Sequence, residues 1–129
     1  MIIKVVAALI EKDNKVLIAK RSTGDPNVLG KWEFPGGKVE LDEDEMHAIE
    51  REILEEFELE IKAKEFIINN VCEYPTKTVD LRLYRCEYVR GEFNLHDHSE
   101  IAWVNKEDLL VYDLAPADIP LAKYIKEIK

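Results

Sequence analysis

The segment from Trp32 to Leu59 constrains the fold more than any other part of the chain. It opens Trp32-Glu33-Phe34-Pro35-Gly36-Gly37-Lys38-Val39-Glu40 and closes Arg51-Glu52-Ile53-Leu54-Glu55-Glu56-Phe57-Glu58-Leu59. Met46, Ile49, Ile53 and Phe57 recur at intervals of 3, 4 and 4, which makes one apolar stripe on a helix from about Glu43 to Phe57. Asp42 is its expected N-cap, with Glu45 as capping-box partner. At about 100° per residue, Glu45, Glu52 and Glu56 fall together a quarter-turn from the stripe, and Glu55 lies just beyond. The helix must therefore lie on a core with its acidic flank left open. Glu52, Glu55 and Glu56 also stand at the end of the helix where the dipole disfavours negative charge. Such a trio is either a solvated face or the seat of a divalent cation, and a cation of that kind points to phosphate chemistry.

Charge sharpens the choice. The chain has 27 acidic and 18 basic residues, a net −9. Eleven of the acidic residues lie between Glu40 and Glu60 against the single Arg51, so that segment carries −10 and the remainder +1. The acidity is local. It repels the backbone of a nucleic-acid polymer, which excludes bulk DNA or RNA as the expected partner. A small phosphorylated substrate can still approach where a metal bridges the two.

A length of 129 residues predicts one domain over 1–129 with a substantial core. No apolar run approaches the ~20 residues needed to span a membrane. Met1-Ile2-Ile3-Lys4 leads into a strand pattern without a leader-like pattern. Cys72 and Cys86 lack CxxC spacing and read as free thiols of a cytoplasmic protein, with pairing across adjacent strands as the alternative. The expected assembly is a monomer or a homodimer.

Val5 to Ile10 reads as a buried strand, Asp13-Asn14 as a turn, and Lys15 to Lys20 as the returning strand. Residues 22–30 form a loop marked by Gly24, Pro26 and Gly30. Trp32 to Phe34 fits a short strand ended by Pro35 and a Gly36-Gly37 turn. Strands follow at 61–73, 78–89 and 101–104, then a helical turn capped by Asn105. Pro116 to Ile128 leads into a last helix with Leu121, Tyr124, Ile125 and Ile128 on its apolar face. Strands, helix, strands, helix predict an α+β fold, an α/β/α sandwich with a mixed sheet between helices.

Gly37, five residues, Glu43, seven residues, then Arg51-Glu52-Ile53-Leu54-Glu55-Glu56-Phe57-Glu58-Leu59 resembles the box of the Nudix hydrolase family. One specified position departs from it: Glu58 stands where the pattern has glycine. That glycine suits a helix-terminal residue with positive φ. A glutamate there either adopts it at a cost of about 1 kcal/mol or lets the helix run on. The resemblance implies that Glu52, Glu55, Glu56 and the Gly37 carbonyl hold Mg2+ (or Mn2+), and that water attacks a diphosphate. Hard carboxylate oxygens suit those ions better than zinc. Arg51 is placed to orient Glu52 or Glu43.

Trp32 to Lys38 and Leu114 to Leu121 are similar to the MutT-type nucleoside triphosphate pyrophosphohydrolases, in particular the CTP pyrophosphohydrolase branch. The resemblance implies a nucleoside triphosphate substrate, such as 8-oxo-dGTP or a cytidine triphosphate, and clearance of unwanted nucleotides. Alternatives are an ADP-ribose-like or dinucleoside substrate, or a binding module without turnover. By the same resemblance Asp118 contacts the base; otherwise it caps the last helix, ahead of Pro120. Phe34 stacks on the base or fills the core, and Arg21 reaches phosphate or is solvated. Lys38 holds phosphate or is a plain surface lysine, and Gly36, two residues before it, is a further expected substrate contact. Asp97 joins the metal site or acts as general base, or lies in a surface turn between His96 and His98.

Overall fold

The computed structural model describes residues 2–24, 26 and 28–128; the predicted loop 22–30 lies partly outside them, at 25 and 27. Strands β1 (Ile2–Lys12) and β2 (Lys15–Arg21) form the expected hairpin, with Asp13 and Asn14 both at positive φ. Short strands β3 (Trp32–Glu33) and β4 (Gly36–Lys38) precede helix α1 (Glu45–Phe57). Then come β5 (Glu60–Tyr74), β6 (Lys77–Arg90), β7 (His98–Asn105), two 3-10 turns (Lys106–Val111 and Pro116–Asp118) and α2 (Ile119–Glu127).

The sheet is seven-stranded and mixed. Strand β1 lies parallel to β6 and antiparallel to both β2 and β4. Its alternation divides the core. Val6, Ala8 and Ile10 face α1, with Ile49, Ile53 and Phe57. Ala7 and Leu9 face α2, with Leu121, Ala122 and Ile125. A strand buried on both faces has no polar side, which is why 5–10 reads as a continuous apolar run. The expected α+β sandwich is the observed one. Cys72 and Cys86 are free; they sit opposite Val79 and Ala63, well apart along the β5–β6 pair.

Three local expectations need correction. Helix α1 starts at Glu45 and its N-cap is Asp44, whose carboxylate accepts the His47 N–H at 3.3 Å. Asp42 instead takes φ 62° in the turn before the helix, so its backbone cannot serve as the cap. Glu45 does not join the open acidic face. Arg82 Nε and Tyr84 Oη each donate to it at 2.6 Å, and Lys4 pairs with it at 3.1 Å. On α2, Ala122 rather than Tyr124 shares the buried face with Leu121 and Ile125.

Candidate active site

Gly36 and Gly37 are strand residues, not a turn: they pair with Ala7 and Val6 of β1. Neither is at positive φ, and their value is the missing side chain. A Cβ on Gly36 would lie 1.9 Å from the Val6 carbonyl oxygen. A Cβ on Gly37 would lie 2.2 Å from Glu52 Oε2, so the glycine makes room for that carboxylate against the strand.

Arg51 organises the acidic end. Its Nε and Nη2 donate to the two oxygens of Glu43 at 2.6 and 2.8 Å, a two-pronged contact. That contact, with the Glu40 backbone, lowers the Glu43 pKa to about 2. Nη1 donates to Glu52 at 3.0 Å and to Glu55 at 3.1 Å, and Nη2 also reaches the Lys38 carbonyl at 3.1 Å. One guanidinium thus ties the loop before α1, the end of β4 and two of the three carboxylates together. It orients both Glu43 and Glu52, which the sequence offered as alternatives.

Glu56 has no such donor. One of its oxygens is buried without a hydrogen-bond partner among the described residues. Burial, and then the facing carboxyl of Asp97, push its pKa up to about 7, while the hydrogen bond with Glu56 lowers that of Asp97. Two carboxylates this close cannot both ionise cheaply, so near neutrality one proton sits between them, on Glu56. Burial also raises Glu52. Asp97 is half-buried in this contact rather than in a free surface turn.

Glu58 takes φ 57° and ψ 33°, the left-handed conformation that ends the helix, and its N–H returns to the Leu54 carbonyl. Its carboxylate accepts from Asn94 Nδ2 at 2.7 Å and pairs with His96 Nε2 at 2.8 Å. The helix stops where a glycine would stop it.

A cavity of about 430 Å³ opens beside this face. Of the residues singled out from sequence, Arg21, Phe34, Gly36, Gly37, Lys38, Glu52, Glu56 and Asp118 line it. Arg51, Glu55 and Asp97 are not among its walls. Arg51 stands behind Glu52, Glu55 is half-exposed, and Asp97 touches Glu56. At the far end Asp118 is 5% exposed and makes no side-chain cap to α2; its Oδ2 accepts the Phe34 N–H at 2.9 Å. Burial, and then the charge of Glu33, hold the Asp118 carboxyl well above the usual carboxylate range. Phe34 both fills the core and lines the cavity. Arg21 is held by the Thr23 carbonyl at 2.9 Å and by Glu33 at 3.2 Å.

Glu33 and Tyr74 are among the wall residues that the sequence reading does not single out. Glu33 accepts from Arg21 and contacts His98 Nε2 at 2.9 Å; His98 in turn is buried and stacked 4.9 Å from Phe57. The signal for Glu33 was present, since alternation between Trp32 and Phe34 puts a charge on the opposite face of a core strand. Tyr74 had no local signal, because only the pairing of β5 with β6 brings it to the cavity.

The donor set suits a hard divalent cation. Three carboxylates share one helix end, one buried oxygen has no hydrogen-bond partner among the described residues, and the missing side chain of Gly37 lets the Glu52 carboxylate lie against the strand. Comparison with known proteins agrees with this chemistry. A family model described as "NUDIX domain" matches residues 2–126. The chain is 40% identical over 119 residues to the CTP pyrophosphohydrolase of Escherichia coli, covering 92% of this chain and 87% of that protein. It is 27% identical to the 8-oxo-dGTP diphosphatase of the same organism, covering 98% of both. The crystal structure of a MutT protein from Methanosarcina mazei superposes with a TM-score of 0.86 at 28% identity, over 96% of this chain and 92% of that one.

Proposed function

Because the chain belongs to the Nudix family, we propose that it hydrolyses a nucleoside triphosphate to the monophosphate and pyrophosphate, in a Mg2+-dependent reaction that Mn2+ can also support. The observation that carries the reading is the pairing, along one cavity, of an under-partnered carboxylate end with a buried hydrogen-bonding end at Asp118. Residues 1–129 act as one catalytic domain. The relatives' names point to cytidine triphosphate or an oxidised guanine nucleotide as substrate, and to clearance of unwanted nucleotides as the role.

Glu52, Glu55 and Glu56, with the Gly37 carbonyl, are the proposed metal ligands. A bound cation supplies neutralisation of phosphate charge and a water of lowered pKa. Among the described residues no three carboxylate, imidazole or thiol groups converge tightly enough to hold an ion as they stand. A bound cation would compete with Arg51 for Glu55 and with the shared proton for Glu56. Asp97, which faces Glu56, is the proposed acceptor of a proton from water. Arg51 keeps Glu52 and Glu43 in register through the change. Lys38 and Arg21 offer positive charge to the phosphates, and Phe34 an apolar wall to the base. Asp118 has one oxygen committed to Phe34 N–H and the other available to a base edge.

No helix among the described residues is long and apolar enough to cross a membrane, and the proposed setting is the cytoplasm. Pyrophosphate release across normal, oxidised and methylated triphosphates, with ADP-ribose alongside, tests the reading. Turnover concentrated in the triphosphates supports it. Preference for ADP-ribose, or binding without turnover, would replace it.

A further inference from the structure

The base end of the cavity is held by contacts that its own segment does not supply. Asp118 closes a 3-10 turn of three residues, Pro116–Asp118, that has no side-chain cap. A turn that short has little stiffness of its own. Its middle residue, Ala117, is gripped on both backbone groups by β5. The Ala117 N–H donates to Tyr74 Oη at 3.2 Å, and the Ala117 carbonyl accepts from Asn70 Nδ2 at 3.1 Å. Asn70 and Tyr74 lie opposite Leu81 and Lys77, two register steps that share one face of the strand. Tyr74 also walls the cavity, and Ala117 and Asp118 are both buried beside it. The Ala115 N–H also donates to the Trp32 carbonyl and the Asp118 N–H to the Ala115 carbonyl, each at 2.9 Å, so the grip on Ala117 acts with these ties and the Phe34 N–H contact to hold the carboxyl next in the chain.

We propose that Asn70 and Tyr74 are positioning residues for base selectivity: by holding both backbone groups of Ala117, they fix where the Asp118 carboxyl stands. The inference rests on Asp118 reading the base. A hydrogen-bonding group discriminates between base edges only while its donor–acceptor geometry is kept, so a turn released from β5 loses discrimination before it loses affinity.

The test uses binding, so that a failure of the hydrolysis reading leaves it intact. Dissociation constants for CMP and GMP are measured with Mg2+ on the full chain for wild type, Tyr74→Phe, Asn70→Ala, Asp118→Ala and the Tyr74→Phe/Asp118→Ala double variant. Tyr74→Phe removes one oxygen and keeps the ring, and Asn70→Ala removes the second tie. Each is expected to move the CMP-to-GMP ratio about fivefold towards the Asp118→Ala value, with Tyr74→Phe adding nothing once Asp118 is gone. A role in packing alone would lower the melting temperature and leave the ratio unmoved, which would overturn the proposal. So would a wild-type protein that binds the two monophosphates alike.

Discussion

The two ends of the cavity solve opposite problems. At the phosphate end, Glu52, Glu55 and Glu56 crowd one helix terminus, and a buried Glu56 oxygen has no donor among the described residues. At the base end, Asp118 is buried like its core neighbours, yet it accepts a backbone N–H and its neighbour Ala117 is tied on both sides. The first arrangement holds electrostatic cost in readiness for a cation. The second spends burial on fixing a single geometry. On the proposed function, rate would belong to the first end and ranking of substrates to the second, so substitutions at Glu56 or Gly37 and at Asp118 should disturb one without the other.

The largest effect is expected from Glu56→Gln. Loss of this ligand should lower Mg2+-dependent pyrophosphate release by about 10²–10³-fold or more for every nucleotide alike. The same change removes a carboxyl raised to about 7 by burial and Asp97, so the metal-free protein should not melt earlier at pH 8, by calorimetry. Turnover within twofold of wild type would detach Glu56 from the metal.

Gly37→Ala comes next. Its Cβ would meet the Glu52 carboxylate, so the site must distort; a loss of about 10²-fold in turnover is expected. Gly36→Ala meets β1 backbone instead, and should show chiefly as lost stability, on the order of 1–3 kcal/mol. Equal losses of stability in both would blur the division between site and scaffold.

Asp118→Asn should reorder the nucleotides by about tenfold, with the rate on the best substrate changed much less. Its pH dependence follows from the raised carboxyl. The folded state binds the Asp118 proton more tightly than the unfolded chain does, so Asp118 costs stability as pH rises above the unfolded value. The variant should therefore be more stable at pH 7.5, on the order of 1–3 kcal/mol, and no more stable near pH 3. Melting curves at the two pH values check the sign.

The smallest effect is expected from Glu58→Gly. Relief of the left-handed glutamate is worth about 1 kcal/mol, offset by tenths lost with the exposed Asn94 and His96 contacts. Turnover should not change, because no proposed ligand moves.

The same contrast explains what could be read from sequence. The phosphate end is written within 28 consecutive residues, so spacing points to the carboxylates and Arg51, while positive φ at position 58 is one of two outcomes that the resemblance leaves open and the one the structure adopts. The errors there were errors of backbone: Gly36-Gly37 looked like a turn because glycine usually signals φ freedom, whereas here it signals close approach. Asp42 looked like a cap because its neighbour Asp44 offers the same chemistry two residues later. The base end is assembled from residues 43, 47 and 84 positions apart in the chain. Asn70 and Tyr74 belong to an ordinary strand pattern, and nothing local distinguishes them until β5 pairs with β6 and meets the turn before α2.

One measurement reaches the centre of the account. Wild-type protein is given CTP or 8-oxo-dGTP with Mg2+, and the products are identified by phosphorus NMR before and after a chelator is added. Equal amounts of nucleoside monophosphate and pyrophosphate, with release halted by the chelator, are the predicted result. Nucleoside diphosphate with orthophosphate, or release that continues without a divalent cation, would contradict it.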